Sequence, residues 1–216
     1  NRVAMDLRMP PPRVPSSVQL LGQAFAGPLY PPGDYKVVMV KGDKTYQGKF
    51  TILYDPDSRH SLADREIRQE TIMKAYRLLE DMAFTDRRMH TLRDQALQKS
   101  SSLSEHSSLK KELTAFVAKL DDLRKEFLAT RQGNITGERR LREKVSDIYG
   151  DAMAYQGRPT ESQISRLESL SREVKSFDQR LDLITGKDLV NLNKLLLKKQ
   201  LGEIELLTLE EFQKED

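Results

Sequence analysis

The chain reads as an α+β protein: a small antiparallel β segment, incomplete as a sandwich, followed by an elongated antiparallel α-helical bundle. Three observations predict it. Residues 35–53 alternate apolar and polar side chains around a Gly-Asp pair, the pattern of a half-buried hairpin. From residue 62 onward apolar residues recur three and four apart through four successive segments. Between those segments lie clusters of Pro, Gly and Ser, where turns belong.

The β segment comes first. Asn1-Arg-Val-Ala-Met-Asp-Leu-Arg8 alternates from the start and predicts a strand, which Pro10-Pro-Pro-Arg-Val-Pro15 ends. Gly27-Pro28 and Pro31-Pro32-Gly33-Asp34 reset the chain before Tyr35. Tyr35–Val40 and Thr45–Leu53 then predict a hairpin with Gly42-Asp43 as its two-residue turn. Tyr46, Gly48, Phe50 and Ile52 share one face and predict a covered one, whereas Thr45, Gln47, Lys49 and Thr51 share a wet one. Three strands with open edges make a poor independent domain, so the sequence reads as a piece of something larger, either cut from it or completed by a partner. Asp55-Pro56-Asp57 marks the linker, giving expected units of residues 1–57, 58–202 and an acidic tail, 203–216.

The helices follow with regular seams. Ala75, Leu78, Met82, Thr85, Met89, Leu92 and Ala96 predict a first helix over about residues 62–98. Leu109, Leu113, Phe116, Leu120, Leu123 and Phe127 predict a second, and Leu141, Val145, Ile148, Ala152 and Tyr155 a third. Leu167, Leu170, Val174, Phe177, Leu181 and Ile184 predict a fourth. Steps of four and three keep one stripe facing its neighbours at a shallow crossing angle. Lys99–Glu105 and Arg131–Gly137 are polar linkers. Thr160-Glu-Ser-Gln163 is a capping box, Gly186 sits where a left-handed C-terminal cap belongs, and Asp188 is placed to cap a fifth helix from Leu189 to about Lys199. Thr208-x-x-Glu211 opens either a short amphipathic helix docking its Leu209 and Phe212 face or a frayed end.

Composition narrows the function classes. Charged residues are 32% and hydrophobic residues 38%, a ratio that suits a body with much surface for its core. The net charge of +3 is not gathered into a basic stripe: residues 58–216 carry 29 Lys/Arg against 28 Asp/Glu, with signs interspersed, so nucleic acid is not an expected partner. With no cysteine, disulfides, thiolate metal sites and cysteine nucleophiles are excluded. No apolar run approaches the roughly 18 residues of a membrane span.

The chemistry-bearing residues are few. His60 and Asp64 lie four apart, but no third ligand is near in sequence, and the pair reads as a solvated helix start. His90, beside Arg87 and Arg88, reads as an exposed bystander; His106 is the remaining histidine. Asp121-Asp122 and Glu210-Glu211 are adjacent on helical segments, so each pair diverges by about 100° and cannot face one substrate. Tyr149, Tyr155 and Phe177 read as core. Arg158, in the tight connection Gly157-Arg-Pro-Thr160, is placed to tie neighbouring carbonyls together. Asn134-Ile-Thr136 matches a short glycosylation acceptor. No nucleotide-binding glycine loop or nucleophile elbow is present. No catalytic, cofactor-binding or metal-binding residue is assigned, and no cofactor is expected.

Several stretches together resemble a known family. Asn1-Arg-Val-Ala-Met-Asp-Leu-Arg8, Gly27-Pro-Leu-Tyr-Pro-Pro-Gly-Asp-Tyr35 and Gly42-Asp-Lys-Thr-Tyr46 resemble the closing strands of a hook-capping-type immunoglobulin-like domain, with Met5 where tryptophan is usual. Leu141-Arg-Glu-Lys-Val-Ser-Asp-Ile-Tyr-Gly150, Gly157-Arg-Pro-Thr-Glu-Ser-Gln163 and Lys187-Asp-Leu-Val-Asn-Leu-Asn193 resemble the C-terminal region of bacterial secreted sortilin-like, BNR-repeat proteins, often labelled glycosyl hydrolases or sialidase-like. The resemblance extends to about Gln200. It implies an immunoglobulin-like edge and helical tail behind a β-propeller, an extracellular or periplasmic location, and a non-catalytic scaffold role with the propeller as partner in cis and a protein or glycan as further partner. It carries no catalytic residue onto this chain. A helical interaction or oligomerisation module is the alternative; the first reading expects a monomer, the second an oligomer. An enzyme with its site in this chain would require polar residues converging in a pocket.

Overall fold

The computed structural model describes residues 4–18, 24, 26–131 and 138–215. The architecture is α+β: among the described residues one two-stranded antiparallel sheet stands beside a helical body, with helix making up 59% of them.

The sheet is a ribbon of β1 (Gly33–Lys41) and β2 (Lys44–Ile52), paired from Gly33↔Ile52 to Lys41↔Lys44. Its turn is Gly42-Asp43. Gly42 takes φ +55 at the first central position, a conformation that favours glycine and matches strand twist. The register puts Tyr35, Val37 and Met39 on one face with Phe50, Gly48 and Tyr46, so the apolar face forms as its alternation requires. Its expected cover is missing among the described residues: Val37, Met39 and Tyr46 are 42%, 49% and 48% exposed. Only the root is packed, where Tyr35 stacks on Phe50 at 5.5 Å and meets Tyr30 edge-on at 5.4 Å.

The opening strand is also shorter than its alternation predicts. Residues 1–3 lie outside the described residues, and Ala4–Arg8 contribute a single antiparallel bridge, Arg8↔Leu29. Two local causes are visible. The Asp6 carboxylate accepts from the Arg8 N–H at 3.2 Å, and Leu7 turns to φ +55, which breaks an extended run.

Among the described residues six α-helices make the body: α1 (Leu62–Ser101), α2 (Ser108–Phe127), α3 (Leu141–Ala154), α4 (Glu161–Leu183), α5 (Val190–Lys198) and α6 (Leu209–Lys214). The Ser61 hydroxyl caps α1 by accepting from the Asp64 N–H, and Thr160 with Gln163 forms the expected capping box of α4. At about 1.5 Å per residue α1 is about 60 Å long, and α2, α3, α4 and α6 all pack on it. The seam residues of α1 to α5 join in one apolar cluster, with Phe127 of α2 stacked on Phe177 of α4 at 4.3 Å.

Two expected boundaries are corrected. Gly186 does not cap α4; residues Ile184–Leu189 form a π-helical turn that runs straight into α5. The buried positions Leu181, Thr185 and Leu189 step by four twice, and the wider turn absorbs the extra residue while keeping the seam inward. Asp188 accordingly caps nothing and pairs with Lys119 at 2.6 Å. The helix ends instead at Lys198, and just past it Gln200 takes φ +58 while its N–H reaches Leu197 O and the Leu201 N–H reaches Leu196 O, a Schellman motif. Tyr155 lies just past α3, exposed and edge-on to His60, rather than in the seam.

The segment before the ribbon lies across the helices. Pro12 and Pro15 are buried, Arg13 pairs with Glu80 of α1 at 2.9 Å, and the Tyr149 hydroxyl donates to Ala26 O at 2.8 Å. Gly27 is required there, because a Cβ would fall 1.7 Å from Met9 O.

Leu120, 1% exposed in the α2 seam, should tolerate no charge. Leu120→Asp is expected to lose about 3 kcal/mol or more, whereas Leu183→Asp, at a position 72% exposed, should stay within about 0.5 kcal/mol. Denaturant titration followed by far-UV circular dichroism checks this; equal midpoints would contradict the buried seam.

Candidate interaction surfaces

The residues singled out from the sequence do not converge. Asp64 is committed to the start of α1, where it accepts from the Ser61 hydroxyl at 2.6 Å, and His60 packs edge-on to Tyr155 at 5.7 Å. His90 is less isolated than expected: its Nε2 lies 3.9 Å from Asp86, a buried carboxylate that also accepts from Arg124 at 2.8 Å. Asp121 pairs with Arg93 and Asp122 with Lys125, both at 2.8 Å. Glu210 pairs with Lys214 at 2.9 Å, while Glu211 accepts from the Thr208 N–H at 2.8 Å. Asn134 and Thr136 lie outside the described residues. Among the described residues no group of three His, Asp or Glu side chains is placed to hold a metal, and no helix is long and apolar enough to cross a membrane.

Arg158, placed by the sequence to tie carbonyls, instead pairs with Glu161 at 2.6 Å. Arg68 of α1 takes that role. Its Nε donates to Ala152 O at 3.0 Å and also to Tyr155 O, and its Nη2 donates to Met153 O at 2.9 Å, so it satisfies the orphan carbonyls ending α3. Burial lowers its pKa from the ordinary value. Nothing in sequence marks Arg68, because its partners lie more than eighty positions away.

Three surfaces remain. The first is a groove of about 400 Å³ between α1 and α4, lined by Lys74, Arg77, Asp81, Lys175 and Asp178. Burial raises the pKa of Asp178 even though the Thr85 hydroxyl donates to it at 2.7 Å, and Asp182, paired to Arg88 at 3.2 Å, adds to the rise. Asp81 is raised too, by burial and then by Glu80.

The second surface is the ribbon. A two-residue turn makes Lys41 and Lys44 the first hydrogen-bonded pair, so Val40, Val38 and Lys36 of β1 turn their main-chain groups outward. No described strand pairs with that edge.

The third surface is the cleft along α1 in which residues 201–212 lie, walled by α5 at Ile204 and by Arg13 and Phe84 at Phe212. Asn193 brackets Ile204, accepting from its N–H at 2.9 Å and donating to its carbonyl at 3.0 Å. Gln95 does the same to Glu205 at 2.9 Å and 2.9 Å. Ile204 and Phe212 are buried, but Leu209, expected to dock with Phe212, is exposed. The only sequence signal for these brackets is a polar residue beside the seam, at Asn193 within Leu189-Val-Asn-Leu-Asn193.

Comparison with models of known protein families, with curated proteins and with solved structures returns no match.

The groove carboxylates give a testable pH dependence. A carboxyl whose folded pKa is raised binds its proton more tightly folded than unfolded, so its contribution favours folding at low pH and is lost as pH rises through the folded pKa. Asp178→Asn, which keeps an acceptor for Thr85, should therefore raise Tm at pH 7 by about 2 °C, with a smaller gain at pH 4. Thermal melts at both pH values test this; the same gain at both would contradict it.

Proposed function

We propose that this chain is a non-catalytic scaffold: the closing edge of an immunoglobulin-like domain joined to an antiparallel helical bundle, serving as the C-terminal accessory module of a secreted, sialidase- or sortilin-like propeller protein. The observation that supports this reading is the ribbon. It carries Val37, Met39 and Tyr46 exposed on one face and an unpaired edge beside Lys36, Val38 and Val40, while its root is fixed to the helices. An isolated two-stranded ribbon is marginal in water, so this surface suits cover by further strands of the same domain. Arg65 of α1 braces the root, donating to Asp55 O at 2.8 Å and lying 4.7 Å over the Tyr54 ring. Such a body supports the propeller in cis and presents a protein or glycan to it, outside the cell or in the periplasm.

Hydrogen exchange tests the reading in the protein made from its whole reading frame. The amides of Lys36, Val38 and Val40 are expected to exchange at least about a hundredfold more slowly there than in this chain alone. Equal rates would remove the case for a completed domain.

A further inference from the structure

The cleft that holds residues 201–212 recognises main chain more than side chains. Asn193 on α5 and Gln95 on α1 each present an amide whose carbonyl and NH₂ pair with the N–H and C=O of one residue, the same two-bond pairing that a neighbouring strand makes. Their targets, Ile204 and Glu205, are consecutive, so successive residues turn to opposite walls as an extended chain does. Lys99 adds a bond from Nζ to Leu201 O at 2.8 Å, and Arg13 adds one to Phe212 O at 2.9 Å. Only two side chains are enclosed. Ile204 joins the apolar core; Phe212 lies 5.3 Å from the Phe84 ring and beneath the Arg13 guanidinium at 3.9 Å. Glu203, Glu205, Leu206 and Leu209 face out. The occupant is acidic, with four glutamates between Glu203 and Phe212, and Arg87 pairs at 2.8 Å with Glu215 just past its end.

We propose that this cleft is an exchangeable binding site for an acidic peptide of a partner protein, extended through the two brackets and helical at its aromatic anchor, and that residues 203–212 of the chain occupy it in cis. The ligand class follows from the contacts. It carries an aliphatic residue at the bracketed position, an aromatic eight residues later, and carboxylates outside the two pockets. Two amide brackets make the site tolerant of other side chains, because they read groups that every non-proline residue has. The tethered segment acts at an effective concentration in the millimolar range, so it holds the site against weak competitors and yields to tight ones. This inference stands on the cleft alone and does not depend on the scaffold reading.

The test titrates a fluorescent peptide of residues 201–215 into the full chain and follows anisotropy. Ile204→Ser/Phe212→Ala weakens the tethered segment without touching the brackets. This variant is expected to bind the peptide at least about tenfold more tightly than the unmodified chain does, and adding Asn193→Ala should weaken binding by about tenfold. Absence of saturable binding up to about 1 mM peptide would overturn the proposal, since that is the concentration the tether itself supplies. Equal binding with and without Asn193→Ala would overturn it as adventitious adhesion. Loss of the helical circular dichroism signal in the double variant would overturn it as well, because the segment would then be an inseparable part of the core. Hydrogen exchange on the unmodified chain is the second readout. Exchange at Ile204 and Glu205 faster than at Leu79 and Leu92 is expected, and equally slow exchange would show that the segment never leaves.

Discussion

Burial of the α1 seam is the constraint on which the other elements depend. Ile72, Ala75, Leu79, Met82, Met89, Leu92 and Ala96 lie on one stripe of a helix about 60 Å long, and no other element runs its full length. A helix of that length is not held by propensity alone; its stripe must be covered. Four helices share the task by packing on it. Ala75 and Ala96 are fully buried alongside the larger Met and Leu positions of the stripe. Each residue of Leu size so enclosed contributes about 1.5–3 kcal/mol, which makes the seam the principal source of stability.

Covering α1 brings helix ends and irregular backbone against the core, and each polar group there needs a partner. Arg68 satisfies the carbonyls ending α3. At the other end of α3, Glu143 accepts from the Arg140 N–H at 3.1 Å and pairs with the fully buried Arg142 at 2.8 Å. Ser17 reaches both Glu143 and Ala129 O, at 3.3 and 3.4 Å, so this site fastens the N-terminal segment to the connection between α2 and α3. A buried ion pair is costly to desolvate, and the hydrogen bonds around it offset that cost. Its value lies in fixing one arrangement of three chain segments.

Sequence periodicity is informative wherever contacts are local in pattern. The stripes of α1, α2 and α4, the Gly-Asp turn and the Thr160 capping box are all legible, because each depends on residues a few positions apart. Legibility fails in two circumstances. Where the seam changes step, at Thr185 and Leu189, glycine at 186 imitates a cap although the chain stays helical; the spacing of four and four was the signal to follow. Where a role depends on partners distant in sequence, as for Arg68 and Gln95, the residues look like ordinary helix surface. The ribbon is a mixed case: its faces follow from alternation, but the lack of cover over Val37 and Met39 among the described residues is tertiary information. The candidate cleft was legible only in outline, as a Thr-capped segment with Phe212 on its apolar side.

The unbroken course of α1 has a further consequence for avidity. Arg65, bracing the ribbon root, and Gln95, bracketing the cleft segment, stand about 45 Å apart along one rigid axis at about 1.5 Å per residue. The helix therefore works as a ruler. A compact binder of domain size, engaged at one end, leaves the other open to a competitor. A flexible bivalent ligand would match that separation on average with a linker of about 60–80 disordered residues, and a linker too short to span it would gain nothing from two-site engagement.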